Sequence, residues 1–467
     1  MGLRLSRNSF PENTLRPQAQ PASLPHASAN AATGFGRVGL ARQTARTGVI
    51  TLGMVAVGVY LWVIHSQKLP LSQAAIGVGL LALLIQREPV RVAPPLAWFG
   101  VFVAWSFMSA AASPYQDMAL EGAWGYLKLW LIFLITANVA HTTRQLRAFM
   151  IIWLGLFALY PVRGTLFNLL SSTSTQDRYA WNFIFSNPND LATLTLPMFA
   201  MSVALLPRER GWTRAAALAG SVLLPTIIVA TQSRGGIVAF AVMSLLLFRE
   251  GLVRKQTTPA AAPRRRRSKA ATVAVSLLAV VAIVIVAPKG VWKRLEGLRS
   301  VTDTENLQAV DKEGSAEQRY EIWKVSWAIS ADHPLFGVGA TVYPEVHKEY
   351  ARSSRFKPTA AGLRDTHSTY FNMLAEGGII GLFLLLGMLG STLAGLRSAA
   401  ASRTDDAHLL RILGIGLIGF LLASVFATMQ HVSFLSLYIA LITIATRLVT
   451  PQAASPVRLP LRPASRR

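Results

Sequence analysis

Apolar runs of about 16–22 residues recur along this chain between short polar breaks, and runs of that length match the hydrocarbon core of a bilayer. A chain so patterned is expected to be an all-α integral membrane protein. About twelve spans are read, bounded only to a few residues. Nine lie near 48–65, 71–86, 95–112, 122–140, 146–162, 189–206, 215–232, 235–249 and 271–287. Three more follow near 368–395, 409–428 and 431–447. The expected organisation is therefore a disordered basic arm (1–47), nine spans (48–287), one large loop (288–366), three spans (367–448) and a basic tail (449–467).

The net charge of +24 (46 Lys and Arg against 22 Asp and Glu) invites a nucleic-acid partner, but its placement argues against one. The basic residues gather in alternate breaks, QREPVR (86–91), HTTRQLR (141–147), PRERGWTR (207–214), 249–269 with its RRRR, and 396–411. That is the positive-inside pattern. With an even span count it puts both termini in the cytoplasm and the loop 288–366 on the opposite face. The arm lacks an apolar core, so no cleaved signal peptide is expected. The chain has no cysteine, which removes disulfides and thiolate metal sites. No nucleotide-binding loop, His/Cys cluster or nucleophile elbow is present, and no metal or cofactor is expected.

The loop 288–366 is too long for a plain connection. Within it, QRYEIWKVSWAIS reads as an amphipathic helix with Tyr320, Trp323 and Trp327 on one face, suited to a membrane interface. Arg319 lies one turn from Trp323, and its guanidinium suits phosphate oxygens; a salt bridge to Glu317 or Glu321 is the plain alternative. Arg234 sits in TQSRGG between two apolar runs, where a charge is expected to face a polar cavity or else to snorkel to headgroups. His367, after Asp365, is a candidate general base, with an ordinary interfacial histidine as the alternative. Glu376 lies inside the tenth span, either functional or paired with an arginine. Asn187 and Asn189, in SNPND, read first as a helix cap and second as sugar contacts. His333 is read as a turn residue and His347 as a solvated one.

Together SNPNDLA (186–192), TQSRGG (231–236), RYEIWKVSWAISADHPLFGVGA (319–340) and THSTYFNMLAEGGIIGLF (366–383) resemble the O-antigen ligase/polymerase superfamily of bacterial inner-membrane proteins. The resemblance implies a multi-pass inner-membrane enzyme with a periplasmic site. Its donor would be a glycan on undecaprenyl diphosphate, and its acceptor a lipid A–core sugar or another glycan. It implies that Arg234 and Arg319 hold the diphosphate and that His367 activates the acceptor hydroxyl, with inversion and without a metal. Independently of the resemblance, Trp323, Asn187, Asn189 and Glu376 are candidate substrate contacts. Many relatives carry Asn after the histidine, where this chain has Ser368. Ligase and polymerase both remain open, as do a secondary transporter and an assembly scaffold.

Overall fold

Among the residues described by this computed structural model, 50–67, 69–86, 88–171, 173, 178–256, 315–401 and 405–450, all regular structure is helical. The expected ninth span (271–287), the basic arm (1–47), most of the basic tail and the first part of the long loop lie outside them. The helices are α1 (Leu52–Ser66), α2 (Ser72–Ile85), α3 (Pro94–Ala111), α4 (Gln116–Val139) and α5 (Thr143–Leu170). Then come α6 (Pro188–Leu205), α7 (Gly211–Ala230) and α8 (Arg234–Gln256). After the gap follow α9 (Ser315–Asp332), α10 (Tyr343–Tyr350), α11 (Thr369–Ala400), α12 (Asp405–Ala423) and α13 (Ser433–Val449).

Six of these, α3, α4, α5, α7, α11 and α12 (from Asp406), are long and apolar enough to cross a membrane, and α1, α2 and α13 are shorter apolar helices. The protein is a multi-pass membrane protein. Helix starts follow local chemistry: Thr51 caps α1, and Thr142 with Gln145 closes a capping box at α5. Three boundaries differ clearly from the sequence reading: α4 begins at Gln116, before the expected 122, α8 runs to Gln256, past the expected 249, and the end of the fifth span differs most. The fifth span was expected to end at 162, yet the helix runs on to Leu170 through a π turn at Ala158–Val162 that contains Pro161. The wider turn accommodates the ring and the missing N–H, so the proline does not end the helix.

α6 stands at the centre of the bundle, buried on every side from Leu191 to Leu205 against α12 and α7. α3 packs on α4 and α11, α13 on α4, and α8 on α12. Every basic break that is described meets another at one end of the bundle. Arg147 pairs with Glu209 (2.5 Å), Arg208 with Asp406 (2.7 Å), Arg411 with Glu250 (2.6 Å), and Arg447 donates to the Ala140 carbonyl.

At the other end, α9 and α10 form a small layer with its own core of Ile322, Val325, Ile329, Tyr343 and Val346. His347, expected to be solvated, is fully buried there. α10 turns it inward with Tyr343, and Nδ1 lies 3.2 Å from the Gly362 carbonyl. Burial lowers its pKa to about 4. The layer is fastened to the bundle at a kink in α11, where Gly378 has φ +67°. Val338 and Gly339 donate to the Ala375 and Glu376 carbonyls, and Ile379 donates to Pro334, each at 2.9 Å. A Cβ on Gly378 would overlap the Leu335 carbonyl.

Gly378→Ala is therefore expected to destabilise the fold by about 2 kcal/mol or more, since both the left-handed backbone and the close approach are lost. Gly390→Ala, in the same helix with open space around its Cα, is expected to leave the unfolding midpoint unchanged or raised. Thermal unfolding of the purified variants checks both.

Candidate active site

The segments that carry Arg234, Arg319 and His367 converge where α6, α8, α9 and α11 meet. The connection is traceable contact by contact. Gly235, next to Arg234, has no room for a Cβ because the Phe426 ring lies against it, and Gly236 is equally close to Ala192 of α6. Phe426 is stacked with Trp323 of α9 (centroids 6.1 Å), which also stacks on Phe371 of α11 (5.0 Å). Trp323 donates its indole N–H to the Thr366 carbonyl at 2.9 Å, one residue before His367. Arg319 is one turn before Trp323, half-buried, and its charge acts on both His367 and Asp190 of α6.

His367 adopts a left-handed backbone conformation (φ +49°), as does Gln232 (φ +51°) two residues before Arg234. Such conformations persist in non-glycine residues only where surroundings enforce them. At His367 the enforcement comes from the 424–429 turn. Thr369 N donates to the Ser424 (2.9 Å) and Ala427 (3.0 Å) carbonyls, and Thr369 Oγ1 bonds to the Ala427 carbonyl and receives the Met429 N–H. Asp365 accepts from Thr428 Oγ1 at 2.9 Å, and its other carboxylate oxygen is 3.6 Å from His367 Nδ1. The imidazole is about one-third exposed. Burial lowers its pKa, opposed by the Asp365 charge and aided by Arg319 and Arg364. The ring is therefore neutral near pH 7, with Nε2 on the side away from Asp365.

Arg178 was not singled out in the sequence, yet it joins two of the motifs. Its Nε donates to the Thr231 carbonyl (2.9 Å) and its Nη2 to Asn189 Oδ1 (2.8 Å). Asn187 accepts from the Asn189 N–H at 2.9 Å and caps α6. The cap reading of SNPND thus holds, and Asn189 in addition orients Arg178. The only sequence signal for Arg178 is a basic residue just before an otherwise neutral, aromatic-rich stretch.

The remaining candidates divide. Trp323 is part of the site wall, whereas Tyr320 and Trp327 are exposed and do not share its packing. Glu317 pairs with Lys357 (2.5 Å) and Glu321 with Lys324 (2.7 Å). Glu376 is not brought beside His367. It is buried under the 333–343 turn, accepts from the Tyr343 N–H (3.4 Å) and faces His431 at 3.5 Å. Ser368 is buried directly before α11. Among the described residues no group of three His, Cys, Asp or Glu side chains has metal-ligand geometry. Chemically, the site offers a neutral imidazole with a carboxylate 3.6 Å away and the charge of Arg319 acting on it.

If Arg178 holds the Thr231–Arg234 turn in place, Arg178→Gln removes two charge-assisted bonds worth about 1.5–3 kcal/mol each. Hydrogen exchange at residues 231–236 is then expected to quicken by roughly 10-fold or more, while exchange in α13 stays unchanged.

No curated protein matches the chain. The model of the O-antigen ligase family matches residues 219–386, which include Arg234, Arg319, Trp323, His367 and Glu376. The resemblance read from the motifs is therefore supported over this stretch, which is similar to the O-antigen ligase family.

Proposed function

We propose that the protein is a glycosyltransferase that moves a glycan from an undecaprenyl-diphosphate carrier to an acceptor hydroxyl, at the periplasmic face of the inner membrane. The observation that supports this reading is the convergence of the segments that carry Arg234, Arg319 and His367 within the family-matched stretch, where Gly235 lies against Phe426, Phe426 stacks with Trp323 and the Arg319 charge acts on His367. On the positive-inside rule the basic end is cytoplasmic, which leaves the site on the periplasmic side.

In the proposed reaction the acceptor oxygen attacks the anomeric carbon from the face opposite the diphosphate. Its proton passes to His367 Nε2, and Asp365 stabilises the resulting imidazolium across Nδ1. The bond from the anomeric carbon to the diphosphate oxygen breaks, and its electron pair remains on the phosphate. Arg234 and Arg319 stabilise the charge that builds there, as guanidinium donors suited to phosphate oxygens. Displacement in one step inverts an α-linked donor to a β product.

We favour a ligase, with a lipid A–core sugar or similar acceptor, over a polymerase that extends another repeat unit. The single loop bearing Arg319 and leading to His367 supports this preference. A carrier would need polar groups exposed in turn to both faces, whereas the candidate groups gather at one end.

Deletion of the gene is expected to strand full-length glycans on the lipid carrier; single repeat units on a normal acceptor would indicate the polymerase instead. Complementation with His367→Ala or Arg319→Ala, at normal protein level, is expected to lower transfer by at least about 10²-fold. Unchanged glycan profiles in the deletion strain would sink the enzyme reading.

The pH dependence has a definite sign. His367 acts in its neutral form and its pKa in the free protein lies below the ordinary 6.5, so kcat/KM is full at pH 7 and falls only as pH drops through that lowered value. Asp365→Asn removes the charge that pulls the pKa up and is expected to move this acid limb to still lower pH, measured as rate against pH with a lipid-linked donor.

A further inference from the structure

At the end of the bundle remote from His367, a cavity of about 380 Å³ opens between α8, α11 and α12. Fifteen residues of α8 separate Arg234 from Arg249 on the rim of this cavity, about 22 Å along the helix axis, so the two sites are distinct. Its inner wall is aliphatic, built from Leu246, Leu393, Ile415 and Ile418. Its rim carries Arg249, Arg397 and Arg411 against one carboxylate, Glu250.

The polar groups are already arranged. Glu250 accepts from Arg411 Nε at 2.6 Å and lies 3.3 Å from His408 Nδ1, so its charge is committed to those partners. Arg411 also donates from Nη1 to the Ala400 carbonyl at 2.7 Å, which fixes its guanidinium at the C-terminal end of α11. Arg249 and Arg397 add two exposed guanidinium groups to the same mouth. The lining therefore carries three arginines against one carboxylate, above apolar walls, in a volume typical of small-ligand sites.

We propose that this cavity binds the phosphodiester headgroup of an anionic phospholipid, with the first methylenes of its acyl chains against the aliphatic wall. The arginine rim supplies the charge complement to a phosphate. The location fits too: on the positive-inside reading this rim faces the leaflet where basic pockets between transmembrane helices meet anionic headgroups. A zwitterionic lipid of the same chain length would fill the wall equally but lacks the net charge.

The test uses the purified full-length protein in detergent, titrated with phosphatidylglycerol or phosphatidylcholine of identical acyl chains and followed by native mass spectrometry. The wild type is expected to prefer phosphatidylglycerol. R249Q/R397Q is expected to lose about fivefold of that preference per arginine, roughly 25-fold together. R249K/R397K, which keeps both charges, should retain most of it and shows that the site tolerates substitution. R144Q/R214Q removes two exposed basic residues that do not line the cavity and should leave the preference intact, which separates a site from diffuse attraction to a basic protein. Equal affinity of the wild type for the two lipids, or an unaltered preference in R249Q/R397Q, would overturn the proposal. So would inorganic phosphate alone displacing phosphatidylglycerol at millimolar concentration, because the ligand would then be a free anion.

Discussion

The kink of α11 at Gly378 sets the position of everything built above it. A helix that ran straight through this point would keep its own hydrogen bonds and offer no edge to the 333–341 turn. Because Gly378 leaves helical geometry, the carbonyls of Ala375 and Glu376 and the N–H of Ile379 are freed, and the turn takes up all three. Ser109 of α3 and Ser113, just beyond its end, complete the joint by donating to the Phe336 and Val338 carbonyls. Each such bond is worth only about 1 kcal/mol net, but leaving the buried groups unpaired would cost more. The turn in turn fixes the C-terminus of α9, and through α9 the distance between Arg319 and His367. Glu376, a candidate substrate contact because of its depth in the span, has its backbone carbonyl in this joint.

The helices were legible because length and hydropathy are properties of a contiguous segment. Among the described residues most span edges lie within a few residues of the helix ends. The long error, at the end of α5, arose because Pro161 reads as a breaker in one dimension, whereas a π turn absorbs it in three. Arg234, Arg319 and His367 were legible for a related reason: each is a polar residue in or beside an apolar or amphipathic stretch, where a charge demands an explanation. Arg178 had no such contrast with its surroundings. Its significance lies in a bond to Thr231, 53 residues away, which no local pattern encodes. His347 failed in the opposite sense, since a two-turn helix leaves open which face meets a neighbour.

The two ends of the bundle handle charge differently. At the basic end, carboxylates are matched to arginines at contact distance, as Arg147 with Glu209 and Arg411 with Glu250. Those pairs hold helix ends together and blunt like-charge repulsion between adjacent breaks. At the His367 end, Asp365 stands 3.6 Å from the imidazole, outside hydrogen-bond distance, and instead takes a bond from Thr428. That carboxylate is oriented without being neutralised. Asp190 lies within the field of Asp365, Arg319 and Arg178, so the same groups are coupled across α6, α9 and the approach to α11.

This coupling bears on the order of events in the proposed transfer. Burial and the Arg319 charge favour neutral His367, which keeps it able to accept a proton but makes it a weak base. A diphosphate held by Arg319 and Arg234 brings negative charge to the same place and offsets the guanidinium field acting on the imidazole. The proton affinity of His367 then rises on donor binding, at the step that needs it, while Asp365 is already placed to stabilise the imidazolium. A base strengthened by its own substrate leaves the acceptor hydroxyl unactivated until the lipid-linked donor is in place. On the proposed mechanism the arginines would act twice, once on the leaving group and once through the histidine, and a lysine at either position would supply the charge but not the planar fork that matches phosphate oxygens.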